Sequence, residues 1–272
     1  MTARLASMGS PDHTDDLRLA HMLADDSDSI TMSRFKAGDL AVSTKPDMTE
    51  VTDADVAVEE AIRRTLSKAR PRDAVHGEEG VDTGWGPRRW VIDPIDGTRN
   101  FVRGVPVWAT LVGLMVEGRV VAGVVSAPAL GRRWWAHEGG GAFTGPSLLR
   151  GQRIKVSQVA KLEDASMSYS SVGGWVDSGR GQAFVNLLRD CWRTRAYGDF
   201  WSYMLVAEGA VDLALEPELA LHDMAALDII VREAGGRFTN INGEDGVAGP
   251  GALCSNSLLH PDLVERLALD KD

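Results

Sequence analysis

An apolar run that halts at two aspartates three residues apart sets narrow limits on this fold. It reads Trp90-Val91-Ile92-Asp93-Pro94-Ile95-Asp96-Gly97-Thr98. Trp90-Val91-Ile92 is strand-like, and Pro94 fixes its own φ, so the strand is expected to end at Asp93-Pro94 in a turn. Both carboxylates then converge at one strand end. Hard cations such as Mg²⁺ take oxygen ligands, usually carboxylates supplemented by substrate phosphate and water. The Ile95 carbonyl between the aspartates offers a further oxygen. Gly97 allows close backbone approach, and N–H groups opening the next segment, at Gly97 and Thr98, suit a phosphate.

Two other acidic positions bear on the same chemistry. Ala74-Val75-His76 reads as a short strand delivering Gly77-Glu78-Glu79-Gly80. Paired glutamates in a loop are commonly just solvated, but these fall just before the aspartate segment. Asp223 precedes an apolar helical run, Met224 to Ala234, and reads either as a helix N-cap or as a third carboxylate for a metal cluster.

Charge argues against a polyanionic partner. Lys and Arg total 29 against 39 Asp and Glu, a net −10, whereas gripping a nucleic-acid backbone needs clustered cations. Arg88-Arg89 and Arg132-Arg133 stand alone. Cys191 and Cys254 form neither a disulfide framework nor a zinc spacing. The opening residues lack the apolar stretch of a secretory signal, and the longest apolar run, Val120 to Val125, is strand-sized. A soluble, cytoplasmic protein is expected.

Helices are expected over residues 12–37, with Leu17, Ala20, Leu23 and Ala24 on one face, and over Val56 to Ala69, with Val58, Ile62 and Leu66. Ala109–Met115, Val120–Ser126 and Arg133–Ala136 alternate with glycine-containing turns, the pattern of antiparallel hairpins. From about Ser147 helices and strands alternate: helix Gly181–Trp192, helix Phe200–Glu208, strand Val211–Glu216, then Met224–Ala234 stopping at Gly235-Gly236. A domain boundary is placed there, giving residues 1–146 and 147–272.

Together these residues resemble the inositol monophosphatase-like superfamily of Mg²⁺-dependent, lithium-sensitive phosphatases. The first motif of that family is matched by Asp93-Pro94-Ile95-Asp96-Gly97-Thr98-Arg99-Asn100-Phe101, and the acidic strand end by Gly77-Glu78-Glu79. The second motif appears as His222-Asp223-Met224-Ala225-Ala226, with His222 where the family usually has Trp. Asp47 with Thr52-Asp53, and the hairpin Trp135 to Phe143, also fit. The resemblance implies an α/β fold of αβαβα layers, usually as a homodimer. It implies that Glu78, Asp93, the Ile95 carbonyl, Asp96 and Asp223 hold two or three Mg²⁺ ions, with Glu79 a further candidate. It implies phosphate held at Gly97 and Thr98, and a water prepared by Thr98 with Asp47 and by Glu78. Such ions lower the pKa of a water, screen the phosphate and stabilise the leaving alkoxide, so no nucleophilic side chain is required.

The resemblance implies a small phosphate ester as substrate. Glu216, seven residues before Asp223, matches a glutamate that faces the substrate in inositol phosphatases. Arg193-Thr194-Arg195-Ala196-Tyr197-Gly198-Asp199-Phe200-Trp201-Ser202-Tyr203 departs from them and resembles bacterial histidinol-phosphate phosphatases, particularly the actinobacterial type. Asp96, Arg195, Asp199, Glu216 and Asp223 are the expected substrate contacts, with Asp199 alternatively a cap of the helix from Phe200. Carboxylates at 199 and 216 suit the ammonium and imidazole of histidinol phosphate. Inositol-1-phosphate or another sugar phosphate is the alternative.

Overall fold

Alternating apolar residues on the strands around Asp93 dictate a sheet that is covered on both faces. A computed structural model describes residues 13–46 and 48–268. Helix α1 (Thr14–Arg34) is followed by the small ribbon β1 (Val42–Thr44) and β2 (Glu50–Thr52), then α2 (Asp53–Ala69). The first large sheet begins with β3 (Ala74–Gly77) and β4 (Arg88–Asp96). After the short α3 (Thr98–Val102) it continues through β5 (Ala109–Val116), β6 (Arg119–Ala127), β7 (Arg132–His137), β8 (Gly141–Thr144) and β9 (Gln152–Arg153). Its seven strands lie in sequence order, and β4 to β9 pair antiparallel throughout, as the hairpin pattern predicts.

Period-two alternation divides this sheet between two cores. Trp90 and Ile92 of β4, with Val112 and Leu114 of β5, meet Leu23, Val58 and Ile62 of α1 and α2. Val91, Leu111 and Val125 point the other way, into a second core.

The second half supplies β10 (Ser166–Tyr169), α4 (Val172–Asp177), α5 (Gly181–Asp190), β11 (Arg193–Arg195), α6 (Asp199–Ala207), β12 (Leu213–Glu216), α7 (Leu221–Glu233), β13 (Arg237–Thr239), β14 (Ala252–Ser255) and α8 (His260–Leu267). The second sheet has the order β11-β10-β12-β14-β13. Phe200, Tyr203, Met224 and Ile229, from α6 and α7, fill the space between the sheets. Trp175, Phe184, Leu187 and Leu263, from α4, α5 and α8, cover the far face. The layers are therefore αβαβα.

Helix α7 lies against the first sheet at two glycines. A Cβ on Gly113 would come within 2.9 Å of Ala225 Cβ, and one on Gly123 within 2.8 Å of Ile229 Cγ2. Side chains there would force the helix outward. The helix ends as expected, with Gly235 at φ +89° and Gly236 N–H donating to the Val231 carbonyl.

A buried histidine pins α8 to the second sheet. Thr239 Oγ1 donates to the Asn240 carbonyl and so accepts from His260 Nε2–H at 3.0 Å, while Nδ1 accepts from Ser255 Oγ at 2.9 Å. The neutral ring is fully satisfied. Burial, followed by the Arg237 charge, pushes its pKa down to about 4 from an ordinary 6.5. The unfolded chain therefore binds more protons between those values, and the histidine's contribution is complete above pH 6.5 and lost as pH falls through that window. The stability margin of the parent over His260→Asn is expected to shrink by roughly 1–2 kcal/mol between pH 7 and 4.5 in denaturant titrations. A pH-independent margin would show that the native ring titrates as it does in the unfolded chain.

Candidate active site

Strand β4 does not stop at Asp93-Pro94 in a turn; it runs on to Asp96. Asp93 pairs with Leu111 and Asp96 with Ala109, so two residues of β4 lie opposite the single residue Thr110. Thr110 Oγ1 donates to the Pro94 carbonyl at 2.8 Å, holding the bulge. In a regular strand, residues i and i+3 face opposite ways. One extra residue restores parity, which is how Asp93 and Asp96 reach the same side. Proline is tolerated here because the bulge does not use its missing N–H. Ile95 is buried with Ala54, Phe101 and Trp108, anchoring the segment. Gly97 follows at φ +86° and caps α3.

Asp223 completes the cluster from the other half of the chain. It occupies the third position of α7 rather than the N-cap, which is Ala220. Its Oδ2 accepts from Ala220 N–H at 2.7 Å. Asp93, Asp96 and Asp223 each place a carboxylate oxygen within 4.8 Å of the others. Asp93 is 1% exposed, and its Oδ1 is buried without a hydrogen-bond partner among the described residues. Burial, then the charges of Glu78, Asp96 and Asp223, holds the Asp93 carboxyl well above the usual range. Asp96 is raised by burial and by Asp199 and Asp223, despite accepting from Phe200 N–H at 2.6 Å. Asp223 is raised too, mainly by burial. Three closely grouped carboxylates, one of them with an orphaned buried oxygen, fit a bound divalent cation.

Glu78 lies outside this group of three but near enough for its charge to act on Asp93 and Asp223, and Glu79 follows it in the loop. Lys45 Nζ bridges the two glutamates, 2.8 Å from Glu78 and 2.7 Å from Glu79. Burial raises Glu79 to about 7 in spite of Lys45. The loop owes its shape to Glu59 on α2, whose carboxylate accepts from Glu79 N–H at 2.7 Å and Gly80 N–H at 2.8 Å. A Cβ at Gly77 would lie 2.4 Å from that carboxylate, which explains the glycine there. Neither Lys45 nor Glu59 stood out in the sequence, since each lies 20 or more residues upstream without a local pattern.

Thr98 opens α3, and its Oγ1 donates to the Ile95 carbonyl at 3.0 Å. Asp47, its expected partner, lies outside the described residues.

A pocket of about 200 Å³ adjoins the aspartates, lined by Asp96, Asp199, Tyr203, Glu216 and Asp223 with Phe200 and leucines. Asp199 is the first residue of α6, not its cap, at a left-handed φ of +51°. Asn100 Nδ2 donates to it at 2.9 Å and to the Val107 carbonyl at 2.9 Å. Strain of this kind concentrates at functional positions. Glu216 Oε2 accepts from Ser170 Oγ at 2.6 Å, and burial pushes the carboxyl up to about 8. Burial likewise raises Asp199 to about 6. Arg195 is exposed on β11, donates to the Thr194 carbonyl and does not line this pocket. Ser170 enters the site without having been singled out, while Asn100 sits inside the first motif and Tyr203 at the end of the Arg193–Tyr203 segment, neither with an expected role.

The inositol monophosphatase family model matches residues 14–269. The chain belongs to the inositol monophosphatase family. A histidinol-phosphatase of Streptomyces coelicolor is 63% identical over 93% of this chain and 97% of its own length. That of Mycobacterium tuberculosis is 55% identical over 93% and 98%. Among solved structures, an inositol monophosphatase from Zymomonas mobilis superposes with a TM-score of 0.84 at 30% identity, covering 96% of this chain and all of the other. The Thermotoga maritima IMPase gives 0.83 at 32% identity, covering 93% and 97%. The family accounts for the layered fold and for the motif residues gathered at the aspartate cluster. No helix among the described residues is long and apolar enough to cross a membrane.

Proposed function

We propose that this chain hydrolyses histidinol phosphate to histidinol and inorganic phosphate, with Mg²⁺ as its cofactor. The observation that carries the reading is the trio Asp93, Asp96 and Asp223, with its orphaned Asp93 oxygen, opening onto a pocket walled by two further carboxylates. The 63% and 55% identity to histidinol-phosphatases supports the substrate.

Asp93, Asp96 and Asp223, with Glu78 and the Ile95 carbonyl, would hold two or three ions. Bound Mg²⁺ supplies positive charge that acidifies water, screens the phosphate dianion and stabilises the departing alkoxide. The remaining work belongs to the protein. The backbone N–H groups at Gly97 and Thr98, at the open end of α3, are available to phosphate oxygens. The Thr98 hydroxyl, whose own proton goes to the Ile95 carbonyl, accepts from the attacking water and orients it, while the carboxylates of Asp47 and Glu78 are the groups that would take the water's proton. Glu216 and Asp199 pair with the cationic part of the ester, and the apolar wall excludes water from those pairs. Resemblance to the family further supports a homodimer, which light scattering of the purified protein tests directly, and the net charge of −10 supports a role without a nucleic-acid partner.

A panel of phosphate esters assayed for phosphate release with Mg²⁺, with and without lithium, tests the assignment. Histidinol phosphate is expected to turn over fastest. Faster release from inositol-1-phosphate would transfer the assignment to the polyol reading, which the retained Glu216 permits. Glu216→Gln is expected to cost about ten-fold or more in kcat/KM for histidinol phosphate, mostly through KM. The same change should barely affect p-nitrophenyl phosphate. Equal losses on both esters would place Glu216 in the fold or among the metal ligands.

A further inference from the structure

The pocket beside the aspartates contains two neighbouring polar atoms that make no hydrogen bond of normal length among the described residues. Tyr203, on α6, is fully buried, and its hydroxyl has no hydrogen-bond partner among the described residues. Glu216 Oε1 is equally without one, although Oε2 is engaged by Ser170. Both residues line the same small cavity, together with Phe200 and Leu219. They face each other closely enough for charge and a long hydrogen-bonding contact to act between them, without closing to normal hydrogen-bond distance. Buried polar groups are seldom left unsatisfied, and two such atoms side by side in one cavity call for a shared partner.

The donor inventory restricts what that partner is. An ionised carboxylate only accepts, while a phenol oxygen accepts or donates. A ligand hydroxyl can satisfy the pair by accepting from Tyr203 and donating to Glu216 Oε1, but it brings no charge to a cavity lined by Asp96, Asp199, Glu216 and Asp223 and by no Lys, Arg or His. An ammonium brings a positive charge and three protons, so it can serve Glu216 Oε1 and Tyr203 Oη together and still offer one to Asp199 or Asp223 across the cavity. A polyol would need several dispersed partners, whereas Phe200, Leu219 and Leu227 make part of the wall apolar.

We infer that Tyr203 is a substrate-binding residue whose hydroxyl, with Glu216 Oε1, receives the ammonium of an amino-alcohol phosphate ester. This rests on the histidinol-phosphate reading and adds to it the residue that selects the amino group. The competing arrangement is a Tyr203 hydroxyl that closes onto Glu216 for structural reasons alone.

The experiment compares the parent protein with Tyr203→Phe on histidinol phosphate and on the same ester with hydrogen in place of the amino group. Melting temperatures are recorded alongside. Tyr203→Phe is expected to raise KM for the amine-bearing ester about ten-fold with kcat little changed, and to leave the deamino ester unaffected. Its melting temperature should match or exceed the parent's, because the hydroxyl removed makes no hydrogen bond of normal length among the described residues. Equal KM changes on both esters, or a lowered melting temperature with lower activity on both, would make Tyr203 structural and overturn the inference. An unaltered preference for the amine would also overturn it, while leaving the substrate reading in place. A parent protein that does not prefer the amine-bearing ester would remove the substrate reading and this inference with it.

Discussion

An Asp93→Asn variant is expected to lose at least about 100-fold in kcat while remaining folded, the loss expected when a metal ligand charge is removed from a phosphoryl-transfer site. The same substitution should leave the melting temperature in chelator unchanged or raised. Asp93 is 1% exposed and faces Glu78, Asp96 and Asp223, so its carboxylate opposes the fold until a cation neutralises it. An amide of the same shape relieves that repulsion. Activity and metal-free stability should therefore move in opposite directions. Retention of more than about a tenth of the parent rate would refute the metal assignment. A large fall in melting temperature in chelator would instead make Asp93 a structural residue.

Thr98→Ala is expected to lower kcat by about 10² to 10⁴, the range for loss of a positioned proton-transfer group. Its hydroxyl donates to the Ile95 carbonyl, itself a proposed ligand, so a second route to lost activity exists. The Mg²⁺ concentration at half-maximal rate separates the two. An unchanged value accompanies loss of water preparation, whereas a large increase would assign Thr98 to holding the Ile95 carbonyl. If Asp47 works through Thr98, Asp47→Asn should give a comparable loss, and the double variant should be little worse than either alone.

Much of the frame was legible because its signals are local. Val58, Ile62 and Leu66 recur at helical spacing, and α2 spans Asp53–Ala69. Alternation and glycine turns gave β5 to β7, and Gly235 gave the end of α7. The errors came where tertiary pairing overrides local preference. Pro94 signals a turn in isolation, but Thr110 on the neighbouring strand captures its carbonyl and keeps β4 going. Asp223 looks like an N-cap because the helical apolar pattern starts after it, yet the helix begins at Leu221. At the site, residues within motifs were readable, whereas those joined to it only through space were not. Lys45 meets Glu78 across 33 residues, and Tyr203 shows its role only once Glu216 lies beside it in the folded protein.

The seat of α7 on Gly113 and Gly123 has a consequence for how the chain is made. Those glycines precede their helical partners by roughly a hundred residues, so the contact closes late and at considerable loop-closure cost. During synthesis the hairpins of β4 to β8 emerge well before α7 exists. Until then the sheet face bearing Leu111, Val125 and Trp134, later covered by α6 and α7, stands open to water and to other nascent chains. The third carboxylate of the proposed cation site arrives on that same helix, so a cation that needs all three would not assist the early steps and would reward only the finished fold. Chains truncated before residue 221 should therefore be held by chaperones or precipitate, and added Mg²⁺ should not rescue them.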